Sequence, residues 1–475
     1  MNTIVITVVV FYLLGMIGIG WYASMKIESN DDFMVAGRRL GPVMMAGTLA
    51  ATEIGGGSSL GVVEKAYGEW GLSAVWYVLA MAVTFIILSF FAPKLRQSMV
   101  KTVPEYFRRR YGNAPGFITA LIMMLPLIGL TAAQFIASAV VLQVMTQWDY
   151  TTCVLIVSIV VTVYAVLGGL WSVTLTDFVQ MFLIVGGMFI AVPYALDAVG
   201  GWEVVKASMP AKKLSFTEGI GYGTIISLVV IYVTSFAVGQ EAVQRYYAAK
   251  DEKAAVQGSL IASGVYVIFA FIPVILGLIA FAMVSESKMD AKLMEQGAIY
   301  ALPSLAMATM PSILAGFLFA GIISATMSSA DSNMLGAGSI FANDIYKIYI
   351  NKQASDKEVL KMTQMSMIMI GLLGSIIAWF NTKSIITLLM FSMTLRAGGA
   401  FFPYIVGHYW KKASWAGAMG SVIVGSIAVI LAQQEMLTFL GLKPIFLGLA
   451  SSAIVFILLC NLFPNDNYSL ELKAV

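Results

Sequence analysis

A stretch long enough to cross a bilayer is interrupted in its middle by glycines, hydroxyls and one carboxylate. Residues 42–63 are mostly apolar, but their centre reads Ala51-Thr52-Glu53-Ile54-Gly55-Gly56-Gly57-Ser58-Ser59. Consecutive glycines release the backbone from helical geometry, so that peptide carbonyls can turn toward another partner. At membrane depth, irregular backbone is tolerated only where protein buries it or where it lines a water-filled cavity. We predict a broken helix that binds a solute or an ion; the alternative is a glycine-rich contact between packed helices.

The composition places the chain in a membrane. Of its 475 residues, 59% are hydrophobic and only 11% are charged, and the mean hydropathy is +0.87. Soluble domains carry about twice that share of charged residues. Apolar runs of helical length favour α-helices over a β-barrel. We therefore expect an all-α polytopic membrane protein in a lipid bilayer, monomeric and without a nucleic-acid partner.

Nothing in the sequence indicates an enzyme. The one histidine, His408, cannot by itself form a multi-histidine metal or haem site. The two cysteines, Cys153 and Cys460, lie in apolar runs, so a disulfide scaffold is not expected. Neither a Ser-His-Asp nor a Cys-His cluster is recognisable. We predict no catalytic site.

The apolar runs predict thirteen membrane spans in a single domain over residues 1–464, followed by a short cytoplasmic tail at 465–475. The spans are expected at about 3–23, 43–65, 72–93, 116–146, 152–168, 174–197, 220–244, 256–284, 312–342, 361–380, 384–408, 414–433 and 445–463. Most lysines and arginines of the connections fall on the side that places the N-terminus outside and the C-terminus in the cytoplasm. The first run has no small-residue cleavage pattern, so we expect a retained span of a multi-pass cell-membrane protein.

A second interruption lies five spans after the first. The run Thr234-Ser235-Phe236-Ala237-Val238-Gly239-Gln240-Glu241 places polar residues and glycine well inside an apolar segment. Interrupted helices at corresponding places in two halves indicate an inverted-repeat transporter. We place the repeats at about 43–197 and 220–409. Because five is an odd number, the second repeat would be inverted relative to the first.

The ninth predicted span carries hydroxyls and one carboxylate on adjoining strips of a helix. Ser324, Ser328 and Ser332 fall at i, i+4 and i+8, with Asp331 beside them and Ser329 one step around. Hard cations bind oxygen ligands, and hydroxyls with freed carbonyls give the weak, reversible binding that a transport cycle requires. Small residues alone would indicate helix packing. The intramembrane aspartate favours an ion site instead.

A second aspartate lies near the cytoplasmic start of the sixth predicted span. Asp177 belongs to the run Thr176-Asp177-Phe178-Val179-Gln180. One interpretation is a second ion ligand inside the membrane. The other is a carboxylate at the start of a helix, where the helix dipole favours a negative charge.

At these residues the chain resembles the sodium:solute symporter family, whose members share the five-plus-five inverted repeat of the LeuT-like fold. The resemblance covers about residues 1–464 and implies one extra N-terminal and two extra C-terminal helices. It implies sodium-coupled secondary active transport of a small organic solute into the cell by alternating access. Four motifs carry it, in this order: 51–55; Gly168-Gly169 with 176–180; Gly239-Gln240 through Gln244-Arg245 and 248–250; and 325–332 followed by Asp344-Ile345-Tyr346-Lys347.

The resemblance also implies two groups of sodium ligands. The main site lies between the broken second span and the ninth span, with ligands matched to Ala51, Ile54, Ala325, Ser328 and Ser329. A second site, which some members have, matches Asp177, Ser328, Asp331 and Ser332. Asp331 replaces a hydroxyl there, so two neighbouring carboxylates would either bind an ion more tightly or retain a proton.

The solute pocket is predicted around an arginine in the eleventh span. Arg396 interrupts the apolar run 385–409; an arginine at this depth is costly unless paired, and its planar fork suits carboxylates. It either binds a solute carboxylate or forms a permanent ion pair with Glu53 or another internal acid. Glu53 itself would tune sodium binding, contact solute or carry a proton. The candidate solute-binding residues are Glu53, Gly56, Ser58, Gln134, Phe135, Phe236, Gln240 and Arg396.

An amino acid or a small carboxylate is the preferred solute. The sugar-transporting members of the family place an asparagine where Gly239 falls, which disfavours a sugar. A proton-coupled symporter or uniporter of the same fold, a channel and a membrane-embedded solute sensor are the alternatives. A channel would not need two broken helices, and a sensor is disfavoured by the short tail after Pro464.

Overall fold

The computed structural model describes residues 3–25, 30–380 and 384–465, and nearly all of them are helical. Within these ranges the only β pairing is an isolated parallel bridge between Leu40 and Ala249. The prediction of an all-α protein is confirmed. The α-helices are α1 (Thr3–Ser24), α2 (Asn30–Val35), α3 (Pro42–Glu53), α4 (Val62–Tyr67), α5 (Val75–Gln97), α6 (Val103–Tyr111), α7 (Asn113–Thr146), α8 (Tyr150–Val199), α9 (Trp202–Ala207), α10 (Gly221–Val238), α11 (Gln240–Ala248), α12 (Glu252–Phe269), α13 (Phe271–Ser285), α14 (Ala301–Thr309), α15 (Ser312–Ile340), α16 (Asp356–Phe380), α17 (Ile385–Ile405), α18 (Trp415–Gln433) and α19 (Pro444–Leu462).

Eleven helical stretches of the described chain are long and apolar enough to cross a membrane, so this is a multi-pass membrane protein. They correspond to the third through thirteenth predicted spans. The first predicted span is α1, whose apolar part Thr3–Ile19 is shorter than the other eleven, and the second is divided between α3 and α4. The total of thirteen and the orientation of the termini stay predictions. Apart from Asn465, the predicted tail lies outside the described residues.

Two predicted spans are joined by a kink rather than by a loop. α8 runs through both, and its backbone turns at Gly169 with φ 53° and ψ −172°. A Cβ atom on Gly169 would lie 2.4 Å from the ring of Phe33. Both the backbone conformation and this close approach require glycine.

Two groups of helices face each other across the centre of the bundle. In the first group, α12 packs against α3 and α5, and α5 packs against α10. In the second group, α7 and α8 pack against α15 and α16. Helix α15 also contacts α3 and α11, and it is buried along most of its length. The central contact between α15 and the two broken helices therefore lies inside the protein rather than against lipid.

Candidate functional site

The first predicted helix interruption is present. α3 ends at Glu53, and Ile54 leaves helical geometry with φ −78° and ψ 68°. A short π-helical turn over Gly57–Gly61 then leads into α4. The last carbonyls of a helix have no partner within that helix. The interruption therefore places free carbonyl oxygens inside the bundle.

Side chains bind the backbone that the first interruption exposes. Ser58 Oγ donates to the Glu53 carbonyl at 3.0 Å, and Ser59 Oγ donates to the Gly55 carbonyl at 2.6 Å. Gln134, on α7, accepts a hydrogen bond from the backbone N–H of Gly56 at 2.8 Å. These contacts hold one defined conformation of the break.

The second predicted interruption is also present. α10 ends at Val238, Gly239 is extended with φ −67° and ψ 117°, and α11 begins at Gln240. Two charged residues follow at once, Glu241 and Arg245, and both are buried. The prediction of two broken helices is confirmed.

Four of the five predicted main-site ligands lie within hydrogen-bonding distance of one another. Ser328 Oγ lies within hydrogen-bonding distance of the carbonyls of Ala51, at 2.9 Å, and Ala325, at 2.8 Å. Ser329 Oγ lies 3.1 Å from the Ala325 carbonyl and 2.6 Å from the Thr52 carbonyl. Each hydroxyl has one hydrogen to share between its two carbonyls. All of these residues are buried. Neutral oxygens from α3 and α15 thus converge at the end of a broken helix.

The fifth predicted ligand, Ile54, lies at the edge of this oxygen group. A Cβ atom on the next residue, Gly55, would lie 2.3 Å from Ser329 Oγ. The Ile54–Gly55 peptide therefore passes directly against the serine hydroxyl. Only glycine permits this approach, because a side chain here would displace Ser329.

A second group, the aspartate cluster, contains Asp177, Asp331, Ser332, Thr48 and Arg245. Thr48 Oγ1 donates to Asp177 Oδ2 at 2.5 Å, and Arg245 Nη2 lies 3.6 Å from the same oxygen. Arg245 also donates to Ser332 Oγ at 2.6 Å and to Thr48 Oγ1 at 3.2 Å. Ser332 Oγ lies 3.3 Å from Asp331 Oδ1. Three of the four predicted second-site residues, Asp177, Asp331 and Ser332, are thus brought together, with an arginine among them.

The aspartate cluster contains more carboxylates than guanidinium groups. Asp177 and Asp331 are both fully buried, and one guanidinium faces two carboxylates. In the described part of the chain, Asp177 Oδ1 and Asp331 Oδ2 have no hydrogen-bond partner. Buried carboxylate oxygens without partners are unfavourable. The cluster can accept one further cation.

The central cavity lies between the two helix interruptions and has a volume of about 40 Å³. Five of the predicted solute-binding residues line it, together with residues that the sequence did not single out. The polar lining includes Glu53, Ser58, Gln134, Glu241, Asn333 and Arg396, and the aromatic lining comprises Tyr77, Tyr232 and Phe236.

Arg396 forms an ion pair with an internal acid. Its Nη1 lies 2.6 Å from Glu241 Oε1 and donates to Glu241 Oε2 at 2.8 Å. Its Nε donates to Ser235 Oγ at 2.6 Å. The acid is therefore Glu241, across the second helix interruption, rather than Glu53.

Three predicted solute-binding residues do not line the cavity. Phe135 turns toward α16, where its ring lies 3.4 Å from the Cβ position of Gly374, because adjacent helical residues point about 100° apart. The Gln240 amide binds the backbone before α6, accepting from Val103 N at 2.9 Å and donating to Lys101 O at 3.0 Å. Gly56 contributes its backbone N–H to Gln134 instead.

Polar contacts close the bundle near the start of α6. Asp344 accepts from Thr102 Oγ1 at 2.5 Å and from Arg108 Nη1 at 2.8 Å. Together with the Gln240 amide, these contacts join α6 to α11 and to the segment that follows α15. The predicted topology places this closed end on the cytoplasmic side.

Sequence reasoning missed Glu241 and Arg245 as site residues. Both lie in a motif that carries the family resemblance, directly after a predicted helix interruption. Ionisable residues at membrane depth are functional candidates by default. That signal was sufficient to single them out.

Comparisons with known proteins agree with this geometry. The sequence profile of the sodium:solute symporter family matches residues 33–425. The osmoregulated proline transporter OpuE of Bacillus subtilis is 26% identical, with 88% of this chain and 87% of that protein covered. The sodium/proline symporter of Escherichia coli is 25% identical over 93% of this chain and 90% of its own. The high-affinity choline transporter 1 of Drosophila melanogaster is 26% identical, covering 93% of this chain and 72% of that one.

Solved structures share the fold. A sodium-coupled sialic acid symporter in a substrate-bound, outward-open state superposes with a TM-score of 0.84, at 23% identity, over 98% of this chain and 99% of that one. A nucleobase-cation-symport-1 family transporter in a closed conformation superposes with a TM-score of 0.61, at 14% identity, over 91% and 94% of the two chains. The LeuT-like architecture predicted from the sequence is confirmed.

Proposed function

The chain belongs to the sodium:solute symporter family, and we propose that it imports an amino acid or another small carboxylate by alternating access. Sodium-coupled symport of a small solute is the activity of the family, and sodium is the coupling ion. One observation carries the assignment to this site. Hydroxyls of Ser328 and Ser329 meet the carbonyls of Ala51 and Ala325 where a buried helix breaks.

The main sodium ion would be held by Ala51, Ile54, Ala325, Ser328 and Ser329. The two serine hydroxyls now donate to carbonyls of the same group. A hydroxyl hydrogen rotates freely about its C–O bond, so each serine can instead turn an oxygen lone pair toward an ion. The group therefore exchanges internal hydrogen bonds for sodium at little structural cost.

A second sodium ion would be held by Asp177, Asp331, Ser332 and Ser328. The two partnerless carboxylate oxygens and the uncompensated negative charge of the aspartate cluster support this proposal. Arg245 would remain bound to Thr48 and Ser332 and would neutralise the other carboxylate. The arginine thus limits the cluster to one added cation.

The solute would bind in the central cavity. The cavity touches both sodium-linked helices, since Ser329 and Thr52 line it as well as Glu53. Two of the relatives are named as proline transporters and one as a choline transporter, which favours a small solute that contains nitrogen. The polar contacts of Asp344 would have to break for release toward the cytoplasm.

Uptake into proteoliposomes tests the proposal. We expect labelled amino acids to accumulate under an inward sodium gradient and not under a matched potassium gradient. The double variant Ser328→Ala/Ser329→Ala should raise the sodium concentration for half-maximal uptake by about tenfold or more, since each loses a cation ligand. Ser375→Ala, on the outer part of α16, is the matched control.

Two results would contradict the proposal. Solute uptake that is equal in sodium and potassium would point to a proton-coupled symporter or a uniporter. Unchanged sodium dependence in the double variant, with normal expression, would remove the two serines from the sodium site.

A further inference from the structure

We propose that the central cavity selects zwitterions. The ammonium of the solute donates to Glu53 Oε1, and its carboxylate accepts from Arg396 Nη2. This inference rests on the proposed function, because it takes the cavity as the solute site. It narrows the solute class from small carboxylates in general to compounds that carry both charges.

Glu53 offers a free acceptor at the cavity. It is the last residue of α3 and lines the cavity beside the first helix interruption. Its Oε1 is buried and has no hydrogen-bond partner among the residues described. A buried carboxylate oxygen normally has such a partner. An ammonium in the cavity supplies a donor of opposite charge.

Arg396 lines the same cavity and has one nitrogen that no described residue binds. Its side chain is 1% exposed, and two of its three nitrogens are already bound, Nη1 by Glu241 and Nε by Ser235. Nη2 is the remaining nitrogen, and it has no partner within the described ranges. The ion pair with Glu241 fixes the direction of the guanidinium plane. A solute carboxylate can therefore be bound without breaking the pair.

The charge balance of the cavity also favours a zwitterion. Three charged side chains line it: Glu53, Glu241 and Arg396. They leave one negative charge, which a sodium ion at the adjacent main site compensates. A zwitterion adds no net charge to this set, whereas an amine without a carboxylate, or an acid without an amine, leaves the buried group charged. Uncompensated buried charge is strongly unfavourable.

The walls restrict the rest of the solute. Tyr77, Tyr232 and Phe236 form the aromatic lining, with Met81 beside them. The volume of about 40 Å³ accommodates only a few water molecules. The aromatic and apolar lining and this small volume therefore favour a solute whose side chain is small and apolar.

Matched compounds test the two contacts separately. Thermal unfolding of the purified full chain in sodium measures binding, because a ligand that binds the folded state raises its stability. The probes are L-alanine and L-proline; alaninamide and prolinamide, which lack the carboxylate; and propionate and cyclopentanecarboxylate, which lack the ammonium. We expect the amino acids to bind about 10- to 100-fold more tightly than either partner compound, as charged hydrogen bonds require.

Two variants locate the contacts. In Glu53→Gln, the advantage of alanine over propionate should fall to about threefold or less, because a neutral amide oxygen replaces the charged acceptor of the ammonium. In Gly239→Ala, the added Cβ would lie 2.7 Å from Arg396 Nη2, so the advantage of alanine over alaninamide should fall in the same way. Glu358→Gln, an exposed glutamate at the start of α16, should change neither ratio.

The outcomes separate this inference from the proposed function. Zwitterion selection is overturned if an amide, or an acid without the ammonium, binds as tightly as its amino acid. It is also overturned if neither amino acid binds. If Glu53→Gln loses all binding, Glu53→Asp is the second variant, because it keeps the carboxylate. It should keep the preference for alanine over propionate, and loss of that preference overturns the inference. Zwitterion binding that is equal in sodium and potassium would instead contradict the proposed coupling and leave the selectivity standing.

Discussion

Arg245 and Arg396 are the two largest fully buried side chains among the described residues, but their surroundings differ. Arg396 has one carboxylate partner, Glu241, at 2.6 Å and 2.8 Å from a single nitrogen. Arg245 faces two carboxylates, and the nearer ion-pair contact, to Asp177, is 3.6 Å long. The first contact pairs one carboxylate with one guanidinium. The second places two carboxylates around one guanidinium.

From this difference we infer separate roles for the two groups: the Arg396–Glu241 pair positions a side chain, and the aspartate cluster binds an ion. A balanced pair joins α11 to α17 and leaves one guanidinium nitrogen without a partner among the described residues, which is the nitrogen proposed to bind the solute. An unbalanced cluster favours binding of a further cation, and in the proposed function that cation is sodium. The direct contacts of each arginine, rather than its burial, therefore distinguish the two groups.

The largest expected effect comes from breaking the balanced pair. Glu241→Gln leaves the Arg396 guanidinium buried without its counter-charge, so the free energy of unfolding should fall by about 3–5 kcal/mol. Thermal unfolding in detergent measures this loss. The double variant Glu241→Gln/Arg396→Met removes both charges and should recover most of the stability. Equal destabilisation by the single and double variants would contradict a balanced pair.

Removing a carboxylate from the aspartate cluster should preserve or increase the stability of the protein, in contrast to Glu241→Gln. Asp331→Asn keeps the side-chain size and leaves Asp177 and Arg245 as a balanced pair, so stability without sodium should hold or rise. The cluster would then no longer need a second cation. The ratio of charge to solute, measured as current against labelled uptake, should fall from two to one. An unchanged ratio would rule out Asp331 as a ligand of transported sodium.

Single hydrogen bonds in the two groups should give the smallest effects. Thr48→Val removes the donor to Asp177 Oδ2 and should weaken apparent sodium affinity by about threefold to tenfold. Ser235→Ala removes the acceptor for Arg396 Nε and should lower stability by about 1 kcal/mol without changing sodium affinity. Sodium titration and thermal unfolding of both variants measure the contrast. If Ser235→Ala weakened the apparent sodium affinity as much as Thr48→Val does, the Arg396 contacts and the aspartate cluster would not have the separate roles proposed for them.

The helix interruptions were predictable because their cause is local. At residues 54–59 and at Gly239, glycine or hydroxyl residues stand next to an ionisable residue. The helices break at both places in the structure. The serine strip of α15 follows from helical spacing alone. The resemblance then indicated which carbonyls of α3 face that strip, and four of the five proposed ligands lie together.

The pairing of buried charges was not predictable from the sequence. Arg396 lies 155 residues from its partner, and both Glu53 and Glu241 are acids at helix interruptions. Only the packing of α17 against α10 determines which acid Arg396 meets. The directions in which neighbouring side chains point also depend on how the helices pack. Gln134 and Phe135 are adjacent, but the rotation of α7 places Gln134 at the cavity and Phe135 toward α16.

Equilibrium binding of radioactive sodium to the purified protein, with saturating amino acid, tests the central claim most directly. The account predicts two sodium ions per chain for the wild type and one for Asp331→Asn, with the surface variant Glu358→Gln unchanged at two. One ion in both the wild type and Asp331→Asn, or two in both, would contradict the claim that the uncompensated aspartate cluster binds a cation of its own.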